Sequence, residues 1–160
     1  EEASPRGARF VVELPAIIGS QVSASAPEAL SNGLRNALII DDEPDVAASL
    51  SDILELMGVK SRVVTAWGSA AAILADYEPD IVFSDLRMPD FSGMTIYREL
   101  LRQRPGLARR FVLITGDMLG ARAEIDAQPM HERPLVLEKP FSTLDVRSIL
   151  AAANDAMPVR

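Results

Sequence analysis

The sequence contains no cysteine, which excludes disulfides and thiolate metal sites and is compatible with a reducing compartment. Basic residues are in the minority, 16 Lys and Arg against 23 Asp and Glu, leaving a formal net charge of −7. A nucleic-acid-binding surface needs a basic face, so that class of partner is not expected. No apolar run approaches the roughly 20 residues of a membrane span, and no signal-peptide pattern opens the sequence. The expectation is therefore a cytoplasmic segment without membrane contact of its own, whatever anchors its parent chain. Aromatics are scarce at 5%, but hydrophobic residues make up 48% of the 160 positions, enough for one ordinary globular domain with a buried core.

The chain reads in parts. Residues 1–15 hold a strand-like run, Arg9-Phe10-Val11-Val12-Glu13-Leu14, stopped by Pro15. Residues 16–35 are rich in Ser, Ala, Gly and Asn, include Pro27, and read as a linker. From Asn36, strand-length apolar runs alternate with helix-period segments, the pattern of a parallel α/β sheet. The strand candidates are Ala37–Ile40, Arg62–Val64, Ile81–Phe83, Phe111–Ile114 and Leu135–Leu137. Val46, Leu50, Ile53, Leu54 and Met57 share one helical face. Ala70, Ile73, Leu74 and Tyr77 repeat that spacing, as do Val146, Ile149, Leu150 and Ala153. Pro44 suits a first helical turn, Gly58 a helix stop, and Ser142 with Asp145 a capping box. The segment Asp117–Gln128 has the weakest helical face, blurred by Gly120 and scattered Ala.

In open sheets of this kind, ligands bind at the carboxyl ends of the strands. The polar residues that end the apolar runs should then converge. They are Asp41-Asp42-Glu43 after the first strand, Asp85 at the third, Thr115 at the fourth and Glu138-Lys139 at the fifth. Carboxylates a few Å apart repel by about 4 kcal/mol at an effective dielectric near 20, so cations must offset them. Lys139 supplies one charge and a hard, oxygen-bound divalent ion such as Mg²⁺ the rest. Singly, each of these residues is an ordinary strand end, turn or surface group. Their joint placement at one sheet edge is what points to a site.

Asp41-Asp42, Asp85 in Asp-Leu-Arg-Met-Pro, Thr115-Gly116 and Lys139-Pro140-Phe141 together resemble the response-regulator receiver domain, over residues 36–155. The resemblance implies a flavodoxin-like, doubly wound five-stranded parallel sheet in the order 2-1-3-4-5 with five helices. It implies that Asp85 accepts a phosphoryl group from a phosphohistidine on a histidine kinase or histidine phosphotransfer protein. It further implies Mg²⁺ ligation by Asp42 and Asp85, by Asp41 through water, and by the backbone carbonyl of Arg87. Thr115 and Lys139 would bind the transferred phosphoryl group, Gly116 would leave the site open, and Lys139-Pro140 would be cis. Slow self-dephosphorylation would be the only enzymatic activity. Val136 stands where such domains commonly carry a Tyr or Phe switch, so an aromatic readout is not implied.

Gly7-Ala8-Arg9-Phe10 with Leu14-Pro15 resembles the closing strand of a histidine-kinase ATP-binding domain, although Pro5 replaces its first glycine. That resemblance implies the carboxyl-terminal receiver of a hybrid histidine kinase: a kinase remnant at 1–15, a linker at 16–35, the receiver at 36–155 and a tail at 156–160. His131-Glu132-Arg133-Pro134 is superficially similar to a kinase phosphoacceptor box, but Pro134 and a strand follow at once, so His131 reads as a loop residue. A haloacid-dehalogenase-type phosphatase needs a second Asp two residues after its nucleophile, where this chain has Arg87. A receiver acting by phosphorylation-independent protein interaction is the remaining alternative.

Overall fold

A computed structural model of the chain describes residues 33–156; the kinase remnant expected at 1–15, nearly all of the linker and the end of the tail lie outside them. The elements in order are β1 (Asn36–Ile40), α1 (Pro44–Leu56), β2 (Lys60–Val64), α2 (Trp67–Asp76), β3 (Ile81–Asp85), α3 (Gly93–Gln103), α4 (Pro105–Ala108), β4 (Phe111–Thr115), α5 (Met118–Asp126), a 3₁₀ turn (Met130–Glu132), β5 (Leu135–Glu138) and α6 (Thr143–Asp155). All strand pairs are parallel and the sheet runs β2-β1-β3-β4-β5, as expected.

Side chains of a strand alternate between its faces, and here both faces are covered, so the central strands are mostly apolar. Leu38, Ile40, Val82, Phe111 and Leu113 pack on one side with Met94, Ile96 and Tyr97 of α3. Ala37, Ile39, Phe83, Val112 and Ile114 pack on the other with Leu50 and Leu54 of α1 and Val146 and Leu150 of α6. β3 and β4 are buried along their whole length. Their only polar groups are Ser84, Asp85 and Thr115.

The five expected crossover helices are present, and α4 adds a sixth, a single turn that buries Leu107 and Ala108 and is too short to show a helical period. Pro44 opens α1, and Gly58 follows it at φ +78, a conformation that glycine adopts without a Cβ clash. The Ser142–Asp145 capping box is formed in full. α5 has only Ala121 and Ile125 buried, which explains its faint periodicity, and Asp117 caps it by accepting from the Gly120 N–H at 2.8 Å. β2 starts two residues earlier than its apolar run because Lys60 and Ser61 lie on the sheet edge. His131 is in the 3₁₀ turn, 82% exposed.

Candidate functional site

Five strands in parallel carry their carboxyl ends to one edge, and register decides which residues meet there. Asp85 closes β3 opposite Ile114, and Thr115 closes β4 opposite Glu138. Asp41 follows β1, with its N–H bonded to the Val64 carbonyl at 3.1 Å. Lys139 follows β5, with its N–H on the Thr115 carbonyl at 2.8 Å. The Lys139–Pro140 peptide is cis.

The Lys139 ammonium stands 2.8 Å from Asp85 Oδ1, 2.9 Å from Glu43 Oε1 and 3.2 Å from Asp41 Oδ2. Asp85 Oδ2 accepts from the Arg87 N–H at 2.6 Å, and Asp41 Oδ1 from the Glu43 N–H at 2.9 Å. Burial alone would pull the Lys139 ammonium down. Its hydrogen bonds to Asp85 and Glu43, with the charges of Asp85 and Asp41, outweigh burial and hold it above the ordinary lysine range. Burial pushes the Asp41 carboxyl up, only partly countered by the Glu43 N–H and Lys139.

Three carboxylates against one ammonium leave the site short of positive charge. Asp41, Glu43 and Asp85 each place an oxygen within 4.8 Å of the others. Asp41 Oδ2 is buried, and its one polar contact among the described residues is the Lys139 ammonium at 3.2 Å. The arrangement fits a hard divalent cation, which favours carboxylate and carbonyl oxygens. The Arg87 carbonyl accepts no hydrogen bond from the described residues and so has lone pairs free.

Asp85, Arg87, Thr115, Gly116, Asp117, Glu43 and Lys139 line a cavity of about 250 Å³ over this group. The Thr115 hydroxyl accepts from the Asp117 N–H at 3.1 Å, which aims it along this wall. The nearest atom to a Cβ added at Gly116 is the Lys139 Cβ, at 4.0 Å, so the entrance beside it is open. Arg87 and Asp117 form an exposed ion pair at 3.5 Å. A larger groove, about 1100 Å³, opens beside the amino-terminal end of β5 and holds none of the strand-end carboxylates.

The structure thus brings together Asp41, Asp85, Thr115, Lys139 and the Arg87 backbone. Asp42 is half-buried and outside the carboxylate group, where Glu43 stands instead. Sequence reasoning placed Glu43 in the acidic run without giving it a role, since an exposed carboxylate preceding a helix reads as a solvated end. It missed Gly93 entirely. A Cβ there would lie 2.5 Å from the Asp85 carbonyl oxygen and 2.7 Å from Leu113 Cδ2, so α3 can start against β3 only with glycine. The adjacent Ser92, whose side chain caps α3 through the Met94 N–H, was the one local signal of a helix start.

A doubly wound sheet with an acidic pocket, a lysine and a hydroxyl at its carboxyl edge defines a receiver-type domain. The response regulator receiver domain family matches residues 37–151, and the chain belongs to it. It is 27% identical over 124 residues to the photosynthetic apparatus regulatory protein RegA of Rhodobacter capsulatus, covering 78% of this chain and 65% of that protein. It is 34% identical over 84 residues to the C4-dicarboxylate transport transcriptional regulatory protein DctD of Rhizobium meliloti, 51% of this chain and 17% of that protein. The chain therefore spans less than two thirds of these relatives. Among solved structures, a sensor protein from Polaromonas sp. JS666 superposes with a TM-score of 0.68 at 26% identity, over 78% of this chain and 98% of that one. Among the described residues, no helix is long and apolar enough to cross a membrane.

Proposed function

We propose that this domain is the phosphoacceptor of a two-component relay, with Asp85 as the residue modified. The observation that carries the reading is Asp85 itself: a nearly buried carboxylate at a strand end, 2.8 Å from the Lys139 ammonium and open to the cavity that Thr115 also lines. In the reaction a carboxylate oxygen of Asp85 bonds to phosphorus while the P–N bond of a phosphohistidine breaks. The electron pair stays on the imidazole nitrogen, and Asp85 becomes an acyl phosphate. Such transfers ask the protein for positioning and charge neutralisation. The Arg87 N–H fixes Asp85, Lys139 pairs with the incoming negative charge and the Thr115 hydroxyl donates to a phosphoryl oxygen. Asp41, Asp85 and the Arg87 carbonyl, with Asp42 beside them, would hold Mg²⁺, which would supply the remaining positive charge. The surplus of carboxylate over ammonium at Asp41, Glu43 and Asp85 supports a cation there.

The donor is a histidine kinase or histidine phosphotransfer protein, and the domain sits in the cytoplasm. Phosphorylation shifts a pre-existing equilibrium between two arrangements. The region after Thr115 is the part that changes, since α5 buries few side chains. Val136, half-buried against the core, stands where an aromatic switch would otherwise sit. The kinase-like run at 1–15, followed by the linker at 16–35 and the receiver at 36–155, supports a hybrid histidine kinase as the parent, as does the likeness to a sensor protein. Incubation with Mg²⁺ and acetyl phosphate tests the central step by intact mass. One added phosphoryl group is expected in the wild type, and none in Asp85→Asn or with EDTA. Absence of an adduct in the wild type would leave a phosphorylation-independent interaction domain.

A further inference from the structure

An ammonium carries three N–H donors, and in this chain three carboxylates already crowd the one on Lys139. A phosphoryl group built on Asp85 takes over that residue's own contact with the ammonium and brings further oxygens beside it, so the least anchored of the other two partners is the one it can displace. Asp41 is fully buried and its other oxygen is held by the Glu43 N–H at 2.9 Å. Glu43 is different. Its side chain is 63% exposed, it precedes α1 without making a side-chain cap, and its only side-chain hydrogen bond among the described residues is the 2.9 Å bond from Lys139. It also forms part of the cavity wall beside Asp85, Thr115 and Lys139.

We infer that Glu43 is a tethered competitor of the phosphoryl group, a positioning residue that holds Lys139 in the unmodified state and swings out when Asp85 is modified. This inference rests on the reading of Asp85 as phosphoacceptor. The lysine is thereby kept paired and in place before transfer, and each modification displaces one exposed ion pair. Glu43 thus tunes how tightly the modified state is held, without touching the bond that forms.

Beryllofluoride, which mimics a phosphoryl group on a carboxylate, separates the possibilities at saturating Mg²⁺. Its affinity is measured by calorimetry for the wild type, Glu43→Gln and Glu43→Asp. Loss of an exposed ion pair that the ligand otherwise has to break should tighten binding roughly two- to fivefold in Glu43→Gln. Glu43→Asp keeps the charge but is one methylene shorter, so it should tighten binding as well. Weaker binding in Glu43→Gln would make Glu43 a supporting ligand and overturn the inference, as would unchanged binding. An effect in Glu43→Gln that is absent in Glu43→Asp would assign the role to net charge and refute competition by contact. No binding by the wild type would instead remove the phosphoacceptor reading, and this inference with it.

Discussion

Gly93→Ala is a one-methyl change that should damage both stability and the site. The added Cβ would lie 2.5 Å from the Asp85 carbonyl oxygen and 3.2 Å from its carbonyl carbon. Backbone of a fully buried strand cannot rotate aside as a flexible side chain can, and the third close atom, Leu113 Cδ2 at 2.7 Å, belongs to a buried core residue. Relief therefore requires α3 to move from β3, pulling on the Gly93 N–H bond to the Leu86 carbonyl. Overpacking of a close-packed interior costs about 1–3 kcal/mol, and the upper end applies where backbone is the obstacle. A loss of about 3 kcal/mol lowers the melting temperature of a domain this size by roughly 10 °C. Urea denaturation with an unchanged slope would give the energy, and the rate of modification by acetyl phosphate would report displacement of Asp85. A variant within about 0.5 kcal/mol of wild type would refute the packing argument.

Three further outcomes follow from the charges and hydrogen bonds. Lys139→Met leaves Asp41, Glu43 and Asp85 without their shared ammonium and should cost about 3 kcal/mol without metal, partly recovered with Mg²⁺; equal losses with and without Mg²⁺ would contradict the charge argument. Asp41 has a raised value in the folded state, so its contribution to stability is complete below the unfolded value of 3.8 and is lost as pH rises through the folded one. Asp41→Asn should consequently be about 1 kcal/mol more stable than wild type at pH 7 in EDTA, with the gain vanishing toward pH 3, as followed by denaturant melts. Tyr97 donates to the Glu132 carbonyl and burial pushes it up to about 12, so Tyr97→Phe should lose about 1 kcal/mol and remove the late step in an ultraviolet pH titration.

What was legible in the sequence had local causes. β1, β3 and β4 are apolar because helices cover both faces, and the polar residue ending each run marks where the sheet stops and the site starts. The capping box, the proline opening α1 and Gly58 are likewise written in neighbouring residues. What was illegible depends on partners distant in the chain. Gly93 is required by Asp85 and Leu113, which approach from two different strands. The bond from Lys139 to Glu43 joins residues 96 positions apart, and no periodicity announces it. Lys60 and Ser61 extend an edge strand with no apolar mark, and α4 completes only one turn.

The role of Asp85 turns on which atom carries the phosphoryl group. Borohydride cleaves an aspartyl phosphate reductively and leaves homoserine, which peptide mass mapping locates to one residue. After modification with acetyl phosphate and Mg²⁺, homoserine should be found at position 85 and nowhere else. Homoserine at 41 or 42, or a stable adduct on His131, would contradict the assignment of Asp85 as the acceptor.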